Sequence, residues 1–279
     1  MKSLEMILSY YQNYPTVSYA TVALLLISAA AALIGVPLVL KRYSMIGDSL
    51  SHVTFGVSCI ATALGLATPV YVALPVTVLA AILLLQLRSR GRRGADSAIA
   101  ALSSASLAFG YLFLNLFPSD DPIADACEDL FGSGILAISL SDVILAASVA
   151  LCVIVLFVLF YNKIFASTFD ESFARVSGVR VSLYNSLIAI MAGVLIVISM
   201  EMVGALLVSA LIVFPALSAM RLFKSFCSVT LCATVLSVSC TAVGVLFSLM
   251  LASPVGSTVV CVDVAVFAAF SLIGAIREK

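Results

Sequence analysis

Charge is scarce in this chain, and histidine scarcer still. Only 10% of the 279 residues are Asp, Glu, Lys or Arg, and there is a single histidine, His52. With 63% hydrophobic residues, too little polar surface exists to cover a water-facing globule, which excludes a soluble fold. Fourteen basic and fourteen acidic residues cancel to a net charge of zero, so composition points to no nucleic-acid partner. No GxxxxGK[ST] stretch occurs, and the chain therefore lacks a phosphate-cradling loop of its own. A GxSxG elbow and an HExxH pair are also missing, which removes the usual signatures of an esterase or zinc protease. The seven cysteines (Cys59, Cys127, Cys152, Cys227, Cys232, Cys240 and Cys261) form no CxxC pair. Neither a disulfide framework nor a thiolate zinc site is suggested, and the thiols read as small polarisable packing groups.

What is present is hydrocarbon in long runs. Apolar stretches fall near residues 17–40, 44–68, 70–87, 96–117, 142–162, 182–200, 202–220, 226–251 and 256–276, each long enough to cross a hydrocarbon layer of about 30 Å. A spanning segment must satisfy its own backbone hydrogen bonds, so the expected fold class is all-α, a polytopic transmembrane helix bundle of about eight or nine spans in one domain. Gly35-Val36-Pro37 and Pro75 interrupt two runs, and the long stretch 182–220 is split at Ser199-Met-Glu201. The first run is too long for a signal-peptide core and is read as a retained span. Lys41 and Arg42, the cluster Arg88 to Arg93, Lys163, Arg175 and Arg180, Arg221 and Lys224, and Arg277 and Lys279 alternate with segments that hold no basic residue. The positive-inside rule makes the basic sites cytoplasmic, with the N-terminus out and the C-terminus in. The acidic stretch Asp120, Asp121, Asp125, Glu128 and Asp129 is then an outer loop, read as a solvated surface before a cation-attracting one.

His52 follows Asp48 by four residues within Tyr43-Ser-Met-Ile-Gly-Asp-Ser-Leu-Ser-His-Val-Thr-Phe-Gly56. On a helix that spacing places both side chains on one face, with Cβ atoms about 5–6 Å apart. Each ionisable group near the membrane centre costs on the order of 2.5–3.5 kcal/mol. Imidazole plus carboxylate suits first-row divalent ions such as Zn, Mn or Fe, and a two-fold dimer would complete a site that one chain leaves half-made. Two plainer readings stand beside this one. The pair could hydrogen-bond neighbouring helices, or lie in the shallow cytoplasmic third of its span. Asp263, inside the last run, and Glu201, at the outer turn, are further candidates for an ion path, each open to local satisfaction by hydroxyls or water. The segment Phe169-Asp-Glu-Ser-Phe-Ala-Arg-Val-Ser-Gly178 reads as a short amphipathic helix. Asp170 caps it, Arg175 sits at its negative end, Gly178 stops it, and Phe169 and Phe173 form one apolar face for lipid or a partner's groove.

Four segments in order resemble the permease subunits of bacterial zinc/manganese/iron ABC importers. Lys41-Arg-Tyr-Ser-Met-Ile-Gly-Asp-Ser-Leu-Ser-His52 is similar to the family's "RR…GD-x-L-x-H", and Phe173-Ala-Arg-Val-Ser-Gly-Val179 to its cytoplasmic loop. Val203-Gly-Ala-Leu-Leu-Val-Ser-Ala-Leu-Ile-Val-Phe-Pro-Ala216 is similar to "VGALL…IPAA", and Pro254-Val-Gly-Ser-Thr-Val-Val260 to "PAGPS-V". The resemblance implies a homodimeric core with a vitamin-B12-importer-like fold, two copies of a cytoplasmic ABC ATPase and an extracytoplasmic metal-binding protein. No cofactor is implied, only a transported divalent ion. Asp48 and His52 match positions that hold the ion. The 169–179 loop, with Phe169, Asp170, Phe173, Ala174, Arg175 and Gly178, matches the coupling helix that docks on the ATPase. Some zinc-type members carry a histidine in the fourth span where this chain has Ser104. Asp263 stands where an apolar residue is usual, and Ser257 where a proline is. Other functional classes are a secondary transporter relaying protons through Asp48, His52 or Asp263, a siderophore or cobalamin ABC permease, and a sensor or scaffold without ion flux.

Overall fold

The computed structural model describes residues 15–66, 68–89, 95–117, 139–251 and 253–277. The acidic stretch 120–129, and Arg90, Arg92 and Arg93, lie outside the described residues. Within them the chain forms eleven helices and no strand. In order these are α1 (Pro15–Leu40), α2 (Ser44–Ala63), α3 (Val70–Ser89), α4 (Ala95–Leu116), α5 (Leu140–Leu159), α6 (Tyr161–Phe169), α7 (Glu171–Val176), α8 (Val181–Val203), α9 (Ala205–Leu222), α10 (Phe226–Leu251) and α11 (Val255–Arg277). Eight of them, all but α2, α6 and α7, are long and apolar enough to cross a membrane.

The helix α2 explains why the expected number of spans was eight or nine. Its 20 residues extend about 30 Å at 1.5 Å per residue, enough to cross. Its sequence, rich in Ser and Thr with an Asp and a His, is too polar to stand against lipid. The bundle resolves the conflict by enclosing it: α2 packs against α3, α4, α8 and α9. A helix bordered by protein on most sides can carry polar groups that a lipid-facing helix cannot.

Helices α1, α8 and α9 form the centre of the bundle. α1 packs on α5, α9 and α10, and α9 also contacts α11 and α2. Small residues set the closest crossings. A Cβ on Gly35 of α1 would overlap the backbone oxygen of Ile212 in α9, and one on Gly110 of α4 would lie 2.7 Å from the Cα of Gly56 in α2. Backbones approach this closely in membranes because dispersion across the interface, with no hydrophobic force, must hold helices together.

The break between α8 and α9 falls at Gly204, not at the expected Ser199-Met200-Glu201. Gly204 has φ 80° and ψ 159°, a conformation open to glycine and strained for other residues. The helix therefore runs on to Val203, and Glu201 belongs to its last turn. The expected span 142–162 likewise ends earlier, at Leu159, and Phe160 links it to a separate helix α6.

The interface between α2 and α4 gives the first prediction. Gly110→Val should lower stability by about 1–3 kcal/mol, the ordinary cost of overpacking, read as a lower midpoint of thermal unfolding in detergent. An unchanged midpoint would show that the two helices do not meet at Gly56 and Gly110.

Candidate functional site

Hydroxyl groups fix the orientation of α2. Ser49 Oγ donates to the Ile99 carbonyl of α4 at 3.0 Å and meets Ser103 Oγ at 2.6 Å. Thr54 Oγ1 donates to Leu50 O at 2.8 Å and lies 3.0 Å from Thr77 Oγ1 of α3. With these side chains turned toward α3 and α4, the face carrying Asp48 points the other way. It opens on a groove of about 560 Å³ whose other walls are α9, at Leu206, Ser209, Ala210, Val213 and Phe214, and α11, at Ser257, Val260 and Cys261.

The Asp48 side chain is 55% exposed to this groove and that of His52 only 16%, with Nε2 3.6 Å from Asp48 Oδ2. That is too long for a hydrogen bond. It is close to the separation of about 3.4 Å expected for a nitrogen and an oxygen bound tetrahedrally to one ion at about 2.1 Å. His52 Nδ1 is enclosed and has no hydrogen-bond partner. Gly47, next to Asp48, lets this part of α2 pack against α9. A methyl added there would sit 3.4 Å from the side chain of Ile212, near the middle of α9. The imidazole is largely enclosed, and the acid stands open to the groove. No cluster of three or more His, Cys, Asp or Glu side chains occurs among the described residues.

The other candidates are scattered. Ser104 is exposed on α4, while its neighbour Ser103 is the residue that meets α2. Glu201 is exposed and borders a small cavity with Thr54, Ser58 and Thr62, away from the Asp48 groove. Asp263 is 2% exposed in α11. Its contact is the Cys240 thiol of α10, in place of the Ser or Thr hydroxyl expected from sequence, and its Oδ2 has no partner.

The short amphipathic helix forms as α7, with one correction. Asp170 is extended (φ −144°, ψ 97°), and its carboxylate accepts from the backbone N–H of Ser172 and Phe173 at 2.9 Å each. At the other end Gly178 takes φ 80°, with Gly178 N–H donating to Arg175 O and Val179 N–H to Ala174 O, a Schellman stop. Because Asp170 breaks the chain direction, Phe169 ends α6 and packs at a tilt on Phe165 and edge-on to Phe226. It shares no helix face with Phe173. The apolar surface of α7 is instead Phe173 and Val176, 66% and 89% exposed, while Ala174 is fully buried beneath.

One cluster escaped the sequence reading. Lys41, taken there only as a marker of sidedness, is enclosed with its side chain 7% exposed, and bonds Glu171 at the start of α7 and Asn185 in α8. Burial pushes the Lys41 ammonium below its usual pKa, further than the hydrogen bond and charge of Glu171 restore it. Burial also pushes the Glu171 carboxyl up, but hydrogen bonds from Asn185 and Lys41 and the charges of Lys41 and Arg175 outweigh it and hold the carboxyl below its usual value. The two partners thus disagree about the worth of the pair: Glu171 gains from it, and Lys41 is not fully repaid for its lost hydration. The lysine is the more buried partner, so its loss weighs more. A polar residue of opposite sign some 130 positions away left no local signal by which to find it.

The helices define a multi-pass membrane protein, with an acid and its imidazole neighbour beside a largely apolar groove. Within that class, the sequence profile of the ABC 3 transport family matches residues 13–274, and the chain belongs to this family. It is 25% identical over 269 residues to the manganese transport system membrane protein MntC of Halalkalibacterium halodurans, covering 96% of this chain and 90% of that protein. It is 27% identical over 268 residues to the chelated iron transport system membrane protein YfeD of Yersinia pestis, covering 96% and 88%. The structure of PsaBC from Streptococcus pneumoniae in complex with Fab superposes with a TM-score of 0.82 at 24% identity, over 96% of this chain and 94% of that one.

The cap of α7 is testable. Asp170→Ala should cost about 0.5–2 kcal/mol of local stability and speed amide exchange at Ser172 and Phe173 while leaving α8 protected. Since Glu171 is held below its usual value, its contribution is complete above the unfolded carboxyl pKa of about 4.3 and lost as pH falls through the lower folded value. Protection of the α7 amides, taken relative to the base-catalysed intrinsic exchange rate at each pH, should therefore fall only under acid conditions, and a loss of protection between pH 6 and about pH 8 would contradict the assignment.

Proposed function

We propose that this chain is the membrane-spanning permease of an ATP-driven importer that moves divalent transition-metal ions, Zn, Mn or Fe, into the cytoplasm. The observation that carries the reading is the Asp48–His52 pair, 3.6 Å apart beside a groove that Asp48 itself lines. A hard carboxylate oxygen with a borderline imidazole nitrogen favours such ions over alkali ions, which need oxygen cages. Two ligands per chain leave the coordination half-filled, and a homodimer related by a two-fold axis along the path would supply the rest. The relatives named for manganese and iron transport support the same cargo.

The chain carries no phosphate-binding loop, so the energy comes from elsewhere. A pair of cytoplasmic ABC ATPases docks on α7 through Phe173 and Val176, with the Asp170 cap and Gly178 stop fixing the helix. An extracytoplasmic metal-binding protein delivers the ion. The basic ends of α1, α9 and α11 face the cytoplasm, the N-terminus is outside, and the bundle lies in the bacterial cytoplasmic membrane against lipid. The ion enters between the protomers and meets Asp48 and His52. Movement of the docked helices then changes the side to which the pair opens. The permease makes and breaks no covalent bond.

One observation favours a second reading. Asp263 is buried in α11 with a carboxylate oxygen unpartnered, as a proton relay in a secondary transporter would be. Uptake of manganese(II) and zinc(II) into proteoliposomes holding the permease, its ATPase and its binding protein separates the two. On the proposed reading uptake requires ATP and survives an uncoupler. Asp48→Ala and His52→Ala each lower it by about 10-fold or more, since metal sites lose that much even when only a supporting hydrogen bond is removed. Anomalous scattering from manganese- and zinc-soaked crystals should place a peak between Asp48 and His52. Full uptake by both variants would end the proposal.

A further inference from the structure

Three polar side chains from three elements close into one knot, with Lys41 and Asn185 enclosed and Glu171 reaching solvent. Lys41 Nζ donates to Glu171 Oε1 at 3.1 Å and to Asn185 Oδ1 at 2.5 Å, and Asn185 Nδ2 donates to the same Glu171 oxygen at 3.0 Å. Lys41 belongs to the turn between α1 and α2, Glu171 begins α7, and Asn185 is in the first turns of α8. A buried ion pair is a poor device for stability, because apolar residues of similar volume commonly do as well or better. What it supplies is direction: the donors and acceptors are satisfied only while the three elements keep one relative placement.

The surroundings make that placement consequential. Arg42, the next residue, has φ 59° and is the one non-glycine residue with positive φ among those described. Tyr43 N–H donates to Leu38 O and Arg42 N–H to Val39 O, so Arg42 occupies the left-handed position of a helix stop where glycine is the usual choice. The turn is accordingly tight and held in a sparsely populated conformation. α2 begins at Ser44, and Asp48 follows about one turn later. A displacement of Lys41 thus reaches the ion-facing helix with no loop between to absorb it. On the other side of Glu171 a cavity of about 210 Å³, lined by Gln86, Arg175, Ser182 and Asn185, lies between α7 and its neighbours α3 and α8. α7 is therefore held to the bundle by Ala174 and the knot, and is not packed tightly all round.

We infer that Lys41 is a coupling residue, which, through Glu171 and Asn185, ties α7 to the start of α2 so that movement of the docking helix repositions Asp48. The inference rests on the permease reading above. It assigns Lys41 and Asn185 a positioning role, with no contact to the ion or to the ATPase.

Lys41→Met and the double variant Lys41→Met/Asn185→Leu test it in the full complex in proteoliposomes. The double variant leaves no orphaned amide, and Glu171 keeps Arg175, 3.6 Å away, and water, which guards against misfolding. Both should assemble with the ATPase and hydrolyse ATP at rates within about two-fold of the unmodified complex, while manganese(II) uptake per ATP falls by about 5- to 150-fold, the span of an ordinary coupling free energy. Manganese(II) binding to the detergent-solubilised variants should be unchanged. Uptake per ATP equal to that of the unmodified complex overturns the inference. So does a loss of uptake accompanied in proportion by loss of ATPase binding, because the knot would then only hold α7 in place. Absence of ATP-driven uptake in the unmodified complex would overturn the permease reading instead.

Discussion

A helix too polar for lipid has to be wrapped by other helices, and the arrangement of this bundle follows from that need. α2 brings Asp48, His52 and a series of hydroxyls into the membrane. Each exposed polar group in hydrocarbon costs free energy that no water returns. α3, α4, α8 and α9 surround it, and Ser49, Ser51 and Thr54 find partners on them or on its own backbone. The glycines at the α2–α4 crossing allow the backbones to approach until Ser49 reaches the Ile99 carbonyl. The face with Asp48 is left toward the larger groove. The residues that rotate α2 are therefore as much part of the site as the acid and the imidazole that occupy it.

The same economy holds at the basic end. α7 is a six-residue helix, far below the length at which an isolated helix is stable. A carboxylate cap, a glycine stop and a buried alanine give it shape, and the bond of Glu171 to Lys41 and Asn185 gives it position. Phe173 and Val176 are then left outward, an apolar surface on an element whose orientation is fixed from behind. Bundle and α7 are joined by hydrogen-bonded charge, which is directional, where packing alone would permit sliding.

Much of this was legible in the sequence. Long apolar runs marked the spans because length and hydropathy are local properties of a segment. Asp170 and Gly178 announced the ends of α7 because capping is decided by residues within a few positions of one another. The i, i+4 spacing of Asp48 and His52 held because α2 is regular there. Errors occurred where two local rules competed. The stretch 182–220 was divided at its polar residues, Ser199 and Glu201, but the chain turns at Gly204, since only glycine tolerates that φ. Phe169 and Phe173 have helical spacing, but the capping conformation of Asp170 places them on different helices.

The sequence by itself determined that the chain is a membrane-spanning helix bundle, where most spans run, which short segment is capped at both ends, and that one acid and one imidazole share a helix face. These follow from neighbours along the chain, whose geometry the covalent backbone and the helical period impose. Tertiary structure alone decided that Asp48 opens on a groove, that Ser103 and not Ser104 meets α2, that Asp263 meets a thiol, and that Lys41 is enclosed by Glu171 and Asn185. Each of these depends on contacts between residues far apart in sequence, where burial and hydrogen bonding are set by the packing of whole helices and leave no periodic trace in the chain.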